Sequence, residues 1–131
     1  MILNLTDLSD ESLQSQLVRQ VRAKILAGEL AADCDLPSIR SLAREQQVSV
    51  ITVQRAYESL VREGLIHSRR GKGFFVSELD EAMKKRLAIQ NLNGKIVPLV
   101  SAALAEGLSK QEIERVVAEI LREESGDDKS I

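Results

Sequence analysis

Hydrophobic residues recur at helical spacing over the first part of the chain. The first stripe places an apolar residue about every four positions, which predicts a helix that starts after Asp10 or Ser12 and stops near Gly28. The apolar positions of this stripe are Leu13, Leu17, Val18, Val21, Ile25 and Leu26. The segment 30–36 lacks the pattern and is predicted to be a loop.

Two further helical stripes follow that loop. A short helix begins after Pro37-Ser38, with Ile39, Leu42 and Ala43 facing inward. Residues 46–48 turn the chain, and Ser49 is a favourable N-cap for a third helix that ends at Gly64. The predicted buried positions of the third helix are Val53, Ala56, Tyr57, Leu60 and Val61.

The pattern then changes to two short strands. Residues 65–68 and 74–76 are predicted to pair across a basic, glycine-bearing turn at 69–73. Three helices followed by a hairpin is the element order of a winged helix-turn-helix, whose third helix enters the major groove of DNA. The predicted fold class is therefore mainly α with a small β-hairpin wing.

Helical periodicity resumes after the hairpin. From 79 to 105 the apolar positions keep phase across Gly94 and Pro98, which predicts one long, kinked helix, with two separate helices as the alternative. Gly107 closes it, and Ser109 with Glu112 forms a capping box for a last helix. From residue 123 the tail is polar and expected to fray. The predicted domains are 1–77 and 78–131, the latter a helical dimerisation region with its tail.

The two C-terminal helices carry more apolar surface than so small a unit can cover by itself. We expect a symmetric second copy to cover it, and the alternative is a monomer in which both helices pack back onto the first domain. The predicted dimer-interface positions are Ile89, Leu92, Ile96, Leu99, Val100, Ala103, Ile113, Val116, Val117, Ile120 and Leu121.

Composition limits the class of protein. The chain has 131 residues, 44% hydrophobic and 29% charged, which suits a globular protein in solution. Cys34 is the one cysteine, so no intramolecular disulfide forms, and no histidine or cysteine cluster offers a metal site. The sequence shows no secretion signal and no apolar run of membrane-spanning length. We expect a cytoplasmic protein without membrane contact.

The net charge of -2 conceals an uneven distribution. Residues 38–76 contain seven Lys or Arg against three acidic residues, whereas residues 106–131 contain eight acidic residues against four basic ones. A basic middle segment favours a local phosphate-binding face, because charges near the nucleic acid govern attachment. Ordinary scatter of charge is the alternative.

Several separated blocks also resemble the DNA-binding signature of GntR-family regulators. The match runs over roughly 12–77 without a gap, and the short two-helix C-terminal part is similar to the YtrA-like branch, which lacks a large effector domain. The resemblance implies a repressor that binds a pseudo-palindromic operator, with control of ABC-transporter genes as a further implication. The blocks are Leu36-Pro37-Ser38-Ile39-Arg40, Val48-Ser49, Thr52-Val53-Gln54-Arg55-Ala56-Tyr57, Glu63-Gly64-Leu65-Ile66 and Arg69-Arg70-Gly71-Lys72-Gly73-Phe74-Phe75-Val76.

The resemblance assigns roles to the second and third helices. Arg40 matches a DNA-contacting arginine, with a surface ion pair as the alternative, and Gln54 with Arg55 matches a pair suited to reading base edges. Ser49 and Thr52 match phosphate-contacting hydroxyls, although Ser49 could also be a helix cap alone. The chain departs from many relatives at Val50 and Ile51, where contact with a thymine methyl becomes plausible.

The resemblance also assigns the wing tip, where the glycine permits close approach and the cations suit a narrow minor groove. A solvated hairpin tip is the alternative. The full set of predicted DNA-binding residues is Ser38, Arg40, Ser49, Val50, Ile51, Thr52, Gln54, Arg55, Arg69, Arg70, Gly71 and Lys72.

Two other classes of protein are alternatives to a DNA-binding regulator. In a winged-helix protein-interaction module, the Lys and Arg side chains of residues 38–76 would have no role in binding nucleic acid. An enzyme would require paired carboxylates, a Ser-His-Asp set or metal ligands at a credible spacing, and the sequence offers none of these. We expect no cofactor, and His67 is predicted to be a partly exposed strand residue. The sequence leaves open whether a small-molecule effector exists.

Overall fold

The computed structural model describes residues 1–126, which contain five helices and one antiparallel two-stranded sheet. The prediction of a mainly helical fold with a small hairpin is confirmed. In chain order the elements are α1 (Leu13–Leu26), α2 (Ile39–Gln46), α3 (Val50–Arg62), β1 (Ile66–Arg69), β2 (Gly73–Val76), α4 (Glu81–Ala105) and α5 (Lys110–Ser125).

The chain divides into two compact units, Met1–Lys85 and Arg86–Ile131. Helix α4 begins in the first unit and ends in the second. In the first unit, α3 packs against α1, α2 and β1, so it is the central element. The buried hydrophobic residues are Leu3, Leu17, Val18, Val21, Ile25, Leu36, Leu42, Ala43, Val53, Ala56, Tyr57, Leu60, Leu65, Ile66 and Val76.

Serine side chains set the starts of the first three helices. The Oγ atoms of Ser12, Ser38 and Ser49 each accept a hydrogen bond from the backbone N–H three residues later, at 3.1, 3.1 and 3.0 Å. Each bond satisfies a backbone donor that has no acceptor within the helix. The predicted caps at Ser12 and Ser49 are confirmed.

A tight turn joins α2 to α3. Gln47 adopts a left-handed conformation with φ of 55°, and its N–H donates to backbone carbonyls at the end of α2. This conformation ends α2 and leaves two residues before α3 begins at Val50. The turn therefore places the start of α3 directly after α2, as a helix-turn-helix requires.

The stripe of α3 differs from the sequence prediction at one position. Val61 was predicted to be buried, but 40% of it is exposed. Leu60 and Tyr57 already fill the interior on that side of the last turn, so Val61 lies at its margin. The end of α3 is instead joined to α1 by a bidentate ion pair, in which Arg22 donates to both carboxylate oxygens of Glu63 at 2.9 and 2.7 Å.

The hairpin is longer toward its tip than the sequence indicated. Arg69 and Gly73 form the last pair of the β1–β2 ladder, and the turn contains only the three residues between them. The predicted loop before α2 also pairs with β2. The N–H groups of Asp33 and Leu36 donate to the carbonyls of Val76 and Phe74 at 2.8 and 2.9 Å, and the Val76 N–H donates to the carbonyl of Cys34 at 3.0 Å.

The residues before α1 are held by two glutamine side chains. Gln16 is only 2% exposed; its amide accepts from the Thr6 N–H at 2.9 Å and donates to the Thr6 carbonyl at 2.7 Å. Gln20, one turn later, makes the same pair of bonds with Asn4, both at 2.8 Å. The two amides act as the partner strand for an extended segment, so residues 3–6 are part of the first unit.

In the second unit, α4 continues through Pro98 as a single helix, which decides between the two alternatives in favour of one helix. The capping box of α5 is confirmed, with Ser109 N–H donating to Glu112 Oε1 at 2.8 Å and Glu112 N–H donating to Ser109 Oγ at 3.1 Å. Helix α5 extends through residues 123–125, where fraying was expected; the rest of the predicted tail lies outside the described residues.

Helices α4 and α5 contain no buried residue within the single chain. The helices in residues 1–126 also lack the combination of length and apolar character that a membrane span requires.

Candidate nucleic-acid interface

The N-terminal half of α3 presents an exposed face. Ile51 is 56% exposed, Val50, Gln54 and Arg55 are exposed, and Thr52 is half-buried. These positions lie opposite the buried stripe that faces α1 and α2. The structure therefore leaves the predicted reading residues of α3 accessible, with two aliphatic side chains beside a glutamine and an arginine.

The start of α3 combines a satisfied cap with free backbone donors. Ser49 Oγ accepts from the Thr52 N–H and lies 2.8 Å from Thr52 Oγ1, so one of these two hydroxyls donates to the other. The N–H groups of Val50 and Ile51 precede the first possible intrahelical acceptor. Such donors, at the positive end of a helix dipole, suit a phosphate oxygen. Ser49 acts as the N-cap, and its contact with a phosphate stays a prediction.

Helix α2 places two arginines next to this start. Arg40, Arg44 and Val50 line an open depression of about 300 Å³. Neither arginine forms an ion pair within residues 1–126, so the surface-ion-pair alternative for Arg40 has no acidic partner there. Arg44 was not among the predicted contacts, although it belongs to the basic segment that the charge count found. Ser38 caps α2 and is exposed.

Tyr57 connects three parts of the site from the interior. Its side chain is fully buried, its hydroxyl donates to the carbonyl of Pro37 at 2.7 Å, and its ring meets the edge of Phe74 at a centroid distance of 4.9 Å. Burial raises the pKa of the phenol, and the carboxylate of Glu45 raises it further. Tyr57 therefore stays a protonated donor that links α3 to the start of α2 and to the wing.

The wing tip is open and cationic. Arg70, Gly71 and Lys72 are exposed, and Gly71 has φ of 74°, a conformation that favours glycine. The Lys72 N–H closes the turn on the carbonyl of Arg69 at 2.9 Å. Within residues 1–126, neither Arg70 nor Lys72 forms an ion pair, so both charges are available to a ligand.

Arg69 was grouped with the tip, but the structure places it in strand β1 with two partners. Its Nη2 lies 3.0 Å from Asp33 Oδ1, and its guanidinium lies 4.4 Å from the centroid of Phe75. The same ring is stacked with His67 at 6.1 Å, and His67 Nδ1 is 3.2 Å from Ser77 Oγ. Sequence periodicity gave no signal for these contacts, because Asp33 comes from the loop before α2.

The second unit carries an apolar groove. Its volume is about 270 Å³, and Leu99 on one side is 68% exposed. The residues that line it are Ile96, Leu99, Val100, Ala103, Leu108, Ile113, Val116, Val117 and Ile120. All but Leu108 were predicted as interface positions. Leu108 was missed because it follows Gly107, outside the periodicity of either helix.

The remaining predicted interface positions do not line the groove. Ile89, Leu92 and Leu121 are exposed elsewhere on α4 and α5. Val97 and Leu104, which the sequence analysis had left out, are exposed on a neighbouring side of α4. Apolar residues on more than one side of a helix are typical of a helix that is buried in an assembly. No cluster of metal-ligating side chains occurs in the part of the chain that the structure describes.

Comparison with known proteins agrees with this geometry. The sequence profile of the gntR family of bacterial regulatory proteins matches residues 13–76. The uncharacterized HTH-type transcriptional regulator YhcF of Bacillus subtilis is 30% identical over 108 residues, which cover 80% of this chain and 86% of YhcF. The HTH-type transcriptional repressor YtrA of the same organism is 26% identical over 122 residues, covering 93% and 94%.

A solved structure shows the same architecture. The GntR family transcriptional regulator from Listeria monocytogenes superposes with a TM-score of 0.69 at 26% identity, over 85% of this chain and 96% of that one. The chain spans less than half the length of some other curated relatives that it matches. The fold and its exposed third helix define a winged helix-turn-helix transcription regulator. The chain belongs to the GntR family.

Proposed function

We propose that this protein binds operator DNA as a homodimer, with α3 in the major groove and the wing tip on the neighbouring backbone or minor groove. The observation that carries the proposal is the exposed N-terminal half of α3, which lies beside arginines of α2 that have no acidic partner in residues 1–126. An accessible helix start with free N–H donors is the arrangement that helix-turn-helix proteins use to contact DNA.

Each part of the site has a different task in this proposal. Gln54 and Arg55 read base edges, because their planar side chains can form paired hydrogen bonds with adenine and guanine. Val50 and Ile51 contact thymine methyl groups. Arg40, Arg44 and the backbone donors at the start of α3 hold phosphates, which fixes the register of the helix on the duplex.

The homodimer follows from the second unit. The groove between α4 and α5 is lined entirely by apolar side chains and is open to water in a single chain. A second copy would remove this surface from water, and the hydrophobic effect favours such burial. Two-fold symmetry would also present two recognition helices to two half-sites, which strengthens binding through effective concentration.

Repression is the expected direction of regulation, since YtrA, which matches over 93% of this chain, is a transcriptional repressor. We also propose that the protein controls transporter genes, because the chain resembles the YtrA-like branch.

The test is selection of bound duplexes from a random DNA pool, followed by salt titrations of the wild type and of two variants. We expect an enriched inverted repeat. Gln54→Ala should lower the preference for one base pair per half-site by about 1–3 kcal/mol. Arg70→Ala should weaken binding to all sequences and lower the salt slope by about 0.9 per lost phosphate contact.

Arg62→Ala is the matched control for these variants. Arg62 is an exposed arginine at the opposite end of α3, so its removal takes away the same charge without touching the N-terminal half. We expect its base preference to equal that of the wild type. Absence of any enriched sequence, together with no DNA retained at low salt, would contradict the proposal and favour a protein-interaction module.

A further inference from the structure

Arg69 differs from the other cations of the wing in having fixed partners. Its guanidinium forms an ion pair with Asp33 at 3.0 Å and lies over the ring of Phe75 at 4.4 Å. By contrast, Arg70 and Lys72, next to it in sequence, have neither kind of partner within residues 1–126. We call Arg69, Asp33 and Phe75 the wing-base cluster, because Arg69, at the tip end of β1, reaches back to Asp33 and Phe75 near the end where the hairpin joins the rest of the unit.

Asp33 lies on a segment that already pairs with the wing. Its N–H donates to the carbonyl of Val76 at 2.8 Å, and an isolated bridge joins Asp35 to Phe75. These backbone bonds attach the loop to β2, whereas Arg69 belongs to β1. The ion pair therefore adds a link from the loop to β1.

We propose that Arg69 is a positioning residue for DNA binding, and that Asp33 favours DNA binding by holding it. The proposal rests on the DNA-binding function proposed above. The wing-base cluster fixes the direction in which the hairpin projects, so that Arg70 and Lys72 reach the duplex. Arg69 then contributes through the orientation of the wing, since its own guanidinium is engaged on Asp33 and Phe75.

Simple electrostatics makes the opposite prediction for Asp33. An exposed carboxylate near a polyanion repels it, so removing the carboxylate should strengthen binding to DNA. If the wing-base cluster orients the wing, removing the same carboxylate should weaken binding. The sign of the effect therefore separates the two explanations.

The experiment measures affinity and salt slope on the selected operator for Asp33→Gly and for its control, Asp35→Ala. Glycine suits position 33, because Asp33 has φ of 65°. Asp35 is an exposed carboxylate two residues away that has no ion pair in the described residues. Asp33→Gly is expected to weaken binding and to lower the salt slope by up to about 0.9 for each wing cation that leaves the phosphates. Asp35→Ala is expected to strengthen binding slightly.

Two further variants complete the design. Asp33→Asn keeps the size of the side chain and tolerates the left-handed backbone, so it tests the charge if Asp33→Gly folds poorly; the loss should be smaller but of the same sign. Arg69→Ala combined with Asp33→Gly should bind no worse than Arg69→Ala alone, because both changes break the same contact. The denaturation midpoint should hardly move, since exposed ion pairs add little stability.

Stronger binding by Asp33→Gly, equal to that of Asp35→Ala, would overturn the proposal and leave Asp33 as a source of repulsion only. Losses that add up in the double variant would overturn it as well, because Asp33 and Arg69 would then act on DNA binding independently of each other. Failure of the proposed function would be recognised separately, since the wild-type protein would then select no operator at all.

Discussion

The two units of this protein bury their hydrophobic residues in opposite ways. In Met1–Lys85, a set of aliphatic side chains and Tyr57 is removed from water around α3. In α4 and α5, no residue is buried, and Leu99 and Leu121 are 68% and 61% exposed. A sequence with similar apolar stripes thus produces a closed core in one unit and an open groove in the other.

The comparison indicates what each unit needs in order to be stable. The first unit buries its apolar core within the single chain, so its stability should not depend on protein concentration. Apolar side chains of the second unit are exposed in the single chain, and under the proposed homodimer its stability should rise with protein concentration. The predictions below test this difference.

The largest effect is expected from a cavity in the first unit. Leu60→Ala should lower the free energy of unfolding by about 2–5 kcal/mol, because Leu60 is fully buried and its neighbours relax only in part. Leu121→Ala is the control, with an expected change within about 0.5 kcal/mol at concentrations below dimer formation. Urea denaturation measures both. If both substitutions lowered the free energy of unfolding equally, the two units would not differ in how they bury apolar residues.

A charge in the groove should act on association instead of folding. Leu99→Asp should raise the dimer dissociation constant by about 100-fold or more, because a carboxylate buried without a partner costs several kcal/mol. Sedimentation equilibrium over a concentration series measures the constant. Ser101→Asp adds the same charge to an exposed, polar position of α4 and should leave the constant within about threefold. A Leu99→Asp protein that stays dimeric would show that the groove is not the interface.

A smaller effect is expected at Tyr57. Tyr57→Phe should lower the free energy of unfolding by about 1 kcal/mol, since it removes the hydrogen bond to Pro37 and keeps the ring contact with Phe74. Operator affinity should fall as well, because that bond links α3 to the start of α2. Urea denaturation and operator titration measure the two effects.

The raised pKa of Tyr57 adds a pH dependence with a definite sign. Below about pH 10 the phenol is neutral in both states, so its contribution to stability is constant. Above that pH the phenol ionises in the unfolded chain and not in the folded one, and stability falls by up to about 1.4 kcal/mol per pH unit. Tyr57→Phe should lack this fall. Tyr57 is the one tyrosine of the chain, so phenolate absorbance that appears near pH 10 in folded protein would contradict the assignment.

Much of this architecture could be predicted from the sequence, because it depends on local signals. The caps at Ser12, Ser49 and Ser109 and the apolar stripes act within a few residues of each other, so they are visible in a linear pattern. The exposed start of α3 follows from the same periodicity. Resemblance to the GntR family then predicted which of these exposed positions contact DNA, and these contacts stay predictions.

Several features that escaped prediction depend on parts of the chain that are distant in sequence. Gln16 is polar and outside the apolar stripe, yet it is buried because its amide pairs with residues before α1. The sequence predicts that Arg69 is a cation of the wing tip, and only the structure shows that the loop containing Asp33 lies beside it. Val61 follows the helical period and is 40% exposed nevertheless. Spacing along one element cannot reveal what another element supplies.

The pairing between the α1–α2 loop and β2 also bears on the order in which the chain folds. The helices and the hairpin form from contacts between near neighbours, whereas Asp33 and Arg69 are separated by 36 positions. Contacts across a long stretch of chain form late, because the entropy of closing the intervening segment is lost before the contact is gained. We therefore expect the contact between Asp33 and Arg69 to form late in folding, as the Arg22–Glu63 ion pair across 41 positions also should, after the individual helices and the hairpin.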